Sequence, residues 1–245
     1  MRVVVTRPAA EAAQWQHELH ARGFDAIALP LIDIQPIADA SALQQCWARI
    51  DSYRAAMFVS ANAVRGFFAA KLGRASFTPR AWATGPGTHN ALLAAGVAAS
   101  QIDCPAEEAL RFDSESLWES IQAQCHQGGR VLIVRGGEGR DWLEQRLAEK
   151  GVAVEAVAAY SRQRPHWTHH ERAVAASAAD SAWILSSSEA IANLQALLPG
   201  QRWDGASAVA THPRIAQAAR DAGFGVVCES RPSMPEVIAA LESLG

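Results

Sequence analysis

Short apolar runs alternate with longer amphipathic segments along the whole chain. In the first amphipathic segment, Trp15 and Leu19 recur at the spacing of one helix face, and Gly23 ends the predicted helix. The predicted strands are residues 2–6, 26–31, 55–60, 80–84, 130–135, 182–186, 206–210 and 225–228. The predicted helices are residues 11–22, 41–50, 62–72, 87–95, 114–126, 141–150, 189–198, 213–222 and 234–244. This alternation is typical of α/β proteins with parallel sheets.

The chain repeats itself once, at an offset of 127 to 128 residues. The aligned segments are 81–96 with 208–223, 57–60 with 184–187, and 3–7 with 131–135. A period of half the chain indicates two similar lobes, and the cleft between two lobes is a common place for a ligand to bind.

Two equivalent segments, 27–37 and 152–164, are longer than one strand needs, and we expect them to connect the lobes. A lobe boundary at the midpoint would cut the predicted helix–strand unit 114–135. The pattern therefore predicts interleaved domains: one lobe of residues 1–34 and 166–245, connectors at 35–39 and 156–165, and a second lobe at 40–155.

Composition narrows the class of protein. The chain has 245 residues, of which 49% are apolar, so it can bury substantial cores. The net charge of −3 does not favour nucleic acid or a membrane surface as a partner. The four cysteines lack C-x-x-C spacing and indicate reduced thiols in a cytoplasmic protein. We expect no signal peptide, since the first predicted strand begins at once and is followed by Arg7 and Pro8, and no membrane span, since no apolar run approaches 18 residues.

Polar residues gather where predicted strands end and predicted helices begin. The carboxyl ends of parallel strands meet at one sheet edge, where helix starts also offer free backbone N–H groups to anions. A single Ser or Thr at such a point is more often only a helix cap. Six junctions in corresponding places of both halves favour a shared anion-binding surface instead. They are Thr6-Arg7-Pro8, Ser60-Ala61-Asn62, 84–88, 135–140, 186–188 and 211–214.

Other ligand motifs are weak. Gly85 and Gly87 do not complete a G-x-G-x-x-G loop, and no G-K-[ST] follows the glycines at 136–139. His166, His169 and His170 lack an acidic or cysteine partner nearby in sequence, so we expect solvated histidines rather than a metal site.

Several segments match a known family in order and spacing. Thr6-Arg7-Pro8 follows the first strand, residues 58–64 match F-T-S-x-N-A-V with Val59 in place of threonine, and residues 83–88 match A-x-G-x-x-T. Tyr160 lies in the second long segment. Together these segments resemble the uroporphyrinogen-III synthase family over nearly the whole chain. One departure is His212-Pro213-Arg214-Ile215-Ala216, where the family's G-P-x-T-A supplies a second threonine.

The resemblance implies two flavodoxin-like lobes with parallel sheets, joined by a two-stranded connector. It implies a monomeric lyase of heme and siroheme biosynthesis that needs no cofactor or metal. The implied reaction cyclises hydroxymethylbilane, a linear tetrapyrrole with eight carboxylates, to uroporphyrinogen III, with loss of water and inversion of ring D through a spiro intermediate. Hydroxymethylbilane synthase is then the expected donor of the substrate.

On this basis Tyr160 is the predicted catalytic residue. The predicted substrate-binding residues are Arg7, Ser60, Asn62, Thr84, Gly85, Thr88, Arg135, Arg140, Ser187 and Thr211. Two other functions stay open from the residues alone: a two-lobed sensor that closes on an anion, and a nucleotide- or flavin-dependent α/β enzyme.

Overall fold

Strands and helices alternate along the chain in a computed structural model that describes residues 1–106, 112–137 and 142–244. The strands are β1 Arg2–Val5, β2 Asp25–Ala28, β3 Asp33–Pro36, β4 Ala55–Phe58, β5 Arg80–Ala83, β6 Ile102–Asp103, β7 Arg130–Gly136, β8 Ala153–Gln163, β9 Ala182–Leu185, β10 Ser207–Ala210 and β11 Val226–Glu229. The helices are α1 Ala9–His20, α2 Ser41–Ala48, α3 Ala61–Ala69, α4 Pro86–Ala94, α5 Ser114–Ile121, α6 Trp142–Glu149, α7 His169–Ser177, α8 Ser188–Leu197, α9 Pro213–Asp221 and α10 Met234–Glu242.

The chain divides into two compact units. Unit 1 comprises Met1–Asp33 and Gln163–Gly245, and unit 2 comprises Ile34–Arg162. The sheet of unit 1 has the strand order β11-β10-β9-β1-β2, and the second sheet has the order β3-β8-β7-β4-β5-β6. The pairings of β1, β2, β9, β10 and β11 are all parallel, as are those that join β8, β7, β4, β5 and β6. The predicted α/β fold with two parallel-sheet lobes is confirmed.

The two sheets share one strand order. Numbered along the chain, the strands of unit 1 lie in the order 2-1-3-4-5, the flavodoxin-like order. In unit 2 the strands β8-β7-β4-β5-β6 lie in the same order, 2-1-3-4-5, when β7 and β8 are numbered 1 and 2 and β4, β5 and β6 are numbered 3, 4 and 5. Segments that align in the sequence therefore occupy equivalent places: β7 corresponds to β1, β4 to β9, and β5 to β10.

The core of unit 2 lies on both faces of its sheet. The central strand β4 is buried at every position, as expected for a parallel strand covered by helices on both sides. On one face Trp47, Phe58 and Phe67 pack together, with ring centroids of Trp47 and Phe67 4.7 Å apart. On the other face α5 and α6 cover the sheet with leucine and isoleucine side chains.

A glycine brings helix α3 close to strand β8. A Cβ atom at Gly66 would lie 2.1 Å from the backbone oxygen of Ala159, so only glycine permits this packing distance. The close approach places the start of α3 beside the segment of β8 that carries Tyr160.

The core of unit 1 is built from β1, β9 and β10 together with α1 and α10. Its buried residues include Val3, Ile184, Val209 and Leu241. Two side chains secure the chain beyond β2: Trp167 Nε1 donates to the backbone oxygen of Pro30 at 3.2 Å, and Asn193 Nδ2 donates to that of Leu31 at 2.9 Å.

The structure adds elements that the sequence pattern did not predict. These are strand β3, the two-residue strand β6 and helix α7. The second long segment is one continuous strand of 11 residues, β8, which lies next to β3 in the sheet. Helix α7 begins at a capping box, in which Thr168 Oγ1 accepts from the backbone N–H of Glu171 and the Glu171 carboxylate accepts from the N–H of Thr168.

Candidate active site

The topology singles out one edge of each sheet. In sheets of this order, ligands bind outside the carboxyl ends of the strands at the point where the strand order reverses. In unit 2 this point lies between β4 and β7. Ser60 follows β4, and β7 ends at Gly136. In unit 1 it lies between β1 and β9, near Arg7 and Ser187. Several of the predicted substrate-binding residues therefore flank the two switch points.

Tyr160 lies at the switch point of unit 2 because β8 contains an irregularity. Arg135 of β7 pairs with Ala158, but the next residue, Gly136, pairs with Tyr160, so Ala159 is extra on β8. A bulge of this kind re-aims the side chains that follow it. The phenol ring then lies against Gly136, where a Cβ atom would be 2.3 Å from Tyr160 Cζ.

The Tyr160 hydroxyl is held by two side chains. Its oxygen lies 3.1 Å from Ser60 Oγ, and either hydroxyl could be the donor. Arg162 Nη2 donates to the same oxygen at 3.1 Å, and the Arg162 guanidinium carbon lies 5.7 Å from the ring centroid. Tyr160 as a whole is only 3% exposed, so the ring belongs to the core. Both hydrogen bonds of its hydroxyl are partly buried.

Ser60 also caps helix α3. Its Oγ accepts from the backbone N–H of Ala63 at 3.2 Å. Asn62 lies in the first turn, where its Oδ1 accepts from Arg65 Nη2 at 2.6 Å. Ser60 thus has the structural role of a cap and, in addition, a contact with the Tyr160 hydroxyl.

The junction between β5 and α4 holds three more predicted residues. Gly85 is the N-cap of α4, and a Cβ atom there would lie 2.9 Å from Cβ of Phe112. Thr84 Oγ1 donates to the backbone oxygen of Val59 at 3.2 Å. Thr88 is buried at the first turn, and its N–H donates to the Gly85 oxygen at 3.1 Å. This arrangement resembles an ordinary helix start, with Thr84 connecting it to the end of β4.

Of the two predicted arginines near the carboxyl end of β7, the structure describes one. Arg135 Nη1 forms an ion pair with Glu144 Oε1 of α6 at 2.7 Å. This ion pair connects the end of β7 to α6. It also neutralises part of the positive charge of Arg135, which was predicted to bind the substrate. Arg140 lies outside the described residues.

Arg7 of unit 1 is a buried cation, two of whose donors have no partner in the part of the chain that the structure describes. Its side chain is 14% exposed, with Nη1 3.2 Å from Glu11 Oε2 and Cζ 4.1 Å from the centroid of the Trp15 ring. Its Nε and Nη2 are shielded from solvent and meet no hydrogen-bond acceptor among the described residues. Burial lowers the pKa of Arg7, and Glu11 opposes this shift. Unfilled guanidinium donors have the chemistry that a carboxylate requires.

The other two residues predicted in unit 1 lie at helix starts. Ser187 is the N-cap residue of α8, without a capping hydrogen bond from its side chain. Thr211 follows β10, and its backbone N–H donates to the Leu185 oxygen at 3.1 Å. The cap of α9 is instead His212, whose Nδ1 accepts from the N–H of Arg214 at 3.1 Å. The imidazole therefore takes the capping role at the position where the family pattern has glycine.

Arg162, which contacts the Tyr160 hydroxyl, is absent from the predicted site residues. It lies two positions beyond Tyr160, and side chains at i and i+2 of a strand share a face, so the spacing was a usable signal. The bulge at Ala159 had no signal in the sequence.

Within residues 1–106, 112–137 and 142–244, no three His, Cys, Asp or Glu side chains are placed to hold a metal ion. His166, His169 and His170 are exposed. None of the helices described is long and apolar enough to cross a membrane. A cavity of about 670 Å³ lies at the amino ends of β4 and β7, and it is lined by residues 51–54 and 126–130, none of which is a predicted site residue.

The fold and these residues define a two-unit α/β protein with hydroxyl and guanidinium groups near the switch point of each sheet. A model of the family described as Uroporphyrinogen-III synthase HemD matches residues 13–239. Because this match spans most of the sequence, the chain belongs to the uroporphyrinogen-III synthase family.

Relatives and solved structures agree with this assignment. The Uroporphyrinogen-III synthase of Salmonella typhimurium is 28% identical over 179 residues, which are 71% of this chain and 70% of that protein. The uroporphyrinogen-III synthetase of Helicobacter pylori has a similar structure, with a TM-score of 0.64, 16% identity and full coverage of both chains. A mutant Uroporphyrinogen III Synthase from Thermus thermophilus gives a TM-score of 0.57 at 16% identity, covering 100% of this chain and 97% of that one. At these identities the two structures support the fold.

Proposed function

We propose that this protein is an enzyme that cyclises hydroxymethylbilane to uroporphyrinogen III with loss of one water. The observation that carries the proposal is the family match over residues 13–239. The groups near the switch points suit a substrate of this kind, because hydroxyls, backbone N–H groups and guanidinium groups all bind carboxylates. Family membership favours this enzyme over the anion sensor and over the nucleotide- or flavin-dependent enzyme.

The reaction needs control of shape more than strong acid catalysis. The pyrrole nitrogen of the first ring donates its electron pair and expels the hydroxyl, which takes up a proton and departs as water. The substituted α-carbon of ring D attacks the resulting azafulvene cation and forms a spiro intermediate. This intermediate fragments and recloses with ring D inverted, and loss of a proton restores the aromatic pyrrole. Without the enzyme the chain closes to the uninverted isomer, so the protein must hold a bent conformation in which the substituted carbon attacks first.

We propose that the carboxylates of the substrate are held at both switch points. In unit 2 the groups are Ser60 and Asn62 at α3, Thr84, Gly85 and Thr88 at α4, Arg135 near the end of β7, and Arg140 in the sequence that follows this strand. In unit 1 they are Arg7, Ser187 and Thr211. Arg7 has the strongest physical argument, since two of its buried donors have no partner in the described chain.

Tyr160 is the proposed catalytic residue. Its hydroxyl lies at the strand ends, hydrogen-bonded to Ser60 and Arg162. In this role it donates a hydrogen bond to the hydroxyl that leaves the first ring. The bond to Ser60 can reverse, since each hydroxyl can donate or accept, and this frees the phenol proton for the substrate.

The deciding experiment incubates the purified protein with freshly prepared hydroxymethylbilane. The products are oxidised to porphyrins and separated by chromatography into isomers I and III. We expect isomer III to dominate with the protein and isomer I to form in buffer alone. Formation of isomer I only, with protein that circular dichroism shows to be folded, would disprove the proposed activity.

A conservative substitution tests Tyr160. Tyr160→Phe keeps the ring against Gly136 but removes the hydroxyl. We expect kcat for isomer III to fall about 10-fold, the effect of losing about 1.4 kcal/mol of transition-state stabilisation. Unchanged turnover would remove Tyr160 from the mechanism.

The expected partner of this chain is hydroxymethylbilane synthase, and the expected compartment is the cytoplasm. Hydroxymethylbilane closes without catalysis, so direct transfer from hydroxymethylbilane synthase to a monomer of this chain would protect it. The four cysteines are free thiols, which supports a reducing compartment such as the cytoplasm. Size-exclusion chromatography with and without the synthase tests both the monomer and the transfer complex.

A further inference from the structure

Arg162 has a defined relation to the catalytic hydroxyl. It is the second residue after Tyr160 on β8, and its Nη2 lies 3.1 Å from the phenolic oxygen. Arg162 is exposed to solvent, whereas Tyr160 is only 3% exposed. The guanidinium therefore lies between the buried ring and solvent, at the strand ends where the substrate is proposed to bind.

The chemistry of the groups sets the direction of this hydrogen bond. A guanidinium has donors only, so the phenolic oxygen must be the acceptor. Ser60 Oγ accepts from the N–H of Ala63, which leaves its own proton free to turn. When Ser60 donates to the phenolic oxygen as well, both acceptor positions of that oxygen are filled. The phenol then acts only as a donor, and its proton points away from Ser60 and Arg162.

We propose that Arg162 is a positioning residue that holds the Tyr160 hydroxyl as a hydrogen-bond donor toward the leaving hydroxyl of the substrate. This inference rests on the proposed function. The cation has a second effect, because its positive charge stabilises the negative charge that develops on the phenolic oxygen as the proton is shared. Arg162 acts through Tyr160 and need not touch the substrate.

An exposed arginine could instead bind a substrate carboxylate directly. The two roles differ in kinetics. A carboxylate-binding residue contributes the same binding energy to substrate and transition state, so its loss raises KM and leaves kcat unchanged. A residue that positions the Tyr160 hydroxyl affects kcat, and only when the hydroxyl is present.

The first experiment measures the hydrogen bond in the free protein. The chain has two tyrosines, so labelling with [13Cζ]tyrosine gives two resonances, and Tyr160→Phe assigns them. We expect Arg162→Met to shift the Tyr160 resonance and Arg164→Met, a matched loss of a neighbouring charge, to leave it in place. An unchanged resonance in Arg162→Met would overturn the proposal, whatever the activity of the protein.

The second experiment is a kinetic cycle with Tyr160→Phe. We expect Arg162→Met to lower kcat about 5-fold in the Tyr160 protein and less than about 2-fold in Tyr160→Phe, with KM nearly constant. Arg162→Lys keeps a charged donor and should recover part of the loss. Equal losses in both backgrounds, or a higher KM with unchanged kcat, would contradict a positioning role.

The outcomes also separate this inference from the proposed function. If the wild-type protein forms no isomer III, the function is wrong while the resonance shift still reports the Arg162 contact. If isomer III forms but the cycle is additive, the function stands and the positioning role is rejected. Urea unfolding of each variant distinguishes loss of folding from loss of catalysis. If Arg162→Met does not fold, the kinetic comparison is made with Arg162→Lys instead.

Discussion

Gly136 controls where the Tyr160 ring lies, and Gly136→Ala should therefore impair catalysis. The added Cβ would lie 2.3, 2.4 and 2.8 Å from Cζ, Cε2 and Cε1 of Tyr160. Ordinary carbon–carbon contacts are about 3.5 Å or longer, so the ring must retreat by about 1.2 Å. Gly136 does not have a positive φ, so alanine is compatible with the backbone and the effect is purely steric.

The expected loss follows from this displacement. Both hydrogen bonds of the hydroxyl are 3.1 Å long, and a retreat of about 1.2 Å along either would exceed hydrogen-bonding distance. We expect kcat to fall between about 10- and 100-fold, since a misplacement of about 1 Å can cost a factor of about 100. Overpacking should also lower the free energy of unfolding by about 1–3 kcal/mol.

The assay is the rate of isomer III formation together with urea unfolding. Tyr160→Ala removes the ring, so Gly136→Ala should no longer destabilise the protein in that background. A matched steric control is Gly225→Ala in unit 1, where the Cβ would lie 2.0 Å from the backbone oxygen of Asp204. It should destabilise the protein but leave kcat of the folded protein unchanged. Wild-type kcat and stability in Gly136→Ala would refute the role assigned to the ring contact.

Three further predictions concern other parts of the chain. Arg7→Met removes a buried cation, two of whose donors meet no acceptor among the described residues, and keeps an unbranched side chain beside Trp15. The unfolding free energy should change little, since the Glu11 carboxylate of the broken ion pair is partly exposed, while KM increases; a clear loss of stability would show that Arg7 is structural. Tyr53 donates to Glu155 at 2.7 Å, and burial is the main cause that raises its pKa. Its contribution to stability should be complete below about pH 10 and decline as pH rises further, and Tyr53→Phe should remove this alkaline decline, which urea titrations from pH 8 to 11 would measure. Burial raises the pKa of Cys104 to about 11, so iodoacetamide should modify it about 100-fold more slowly at pH 8 than a thiol of pKa 9; equal rates by mass spectrometry would contradict this.

The predictable part of the fold was the alternation of buried strands and amphipathic helices. Strands such as β4 and β9 are apolar at every position, because a parallel strand that is covered by helices on both faces of the sheet has no side chain in solvent. Helix α7 was missed because its sequence is rich in alanine and polar residues and has little apolar contrast. The Thr168-x-x-Glu171 box was nevertheless a readable start signal. Strand β6 has two residues, too few for any periodicity.

The candidate site was predictable only as a set of positions. Parallel strand ends place Ser60 and Tyr160 near one edge, which the alternation of elements allows one to infer. Their contact depends on the bulge at Ala159 and on rotamers, which local sequence does not encode. That Arg7 Nε and Nη2 are shielded from solvent and meet no acceptor among the described residues is a property of the folded chain, which the sequence pattern does not reveal. The N-cap of α9 is His212, a residue that rarely has this role.

The shared strand order has a consequence for biosynthesis. Each sheet combines strands from both copies of the internal repeat: β1 and β2 come from the first copy, while β9, β10 and β11 come from the second. The molecule thus has the make-up of two duplicated domains that exchanged strands and were then fused into one polypeptide. On the ribosome, β1 and β2 are synthesised long before β9, β10 and β11, with which they form a sheet, whereas residues 34–162 can complete their sheet earlier. The inserted unit is therefore expected to fold before unit 1, because β1 and β2 depend on the later strands β9, β10 and β11 for a finished sheet.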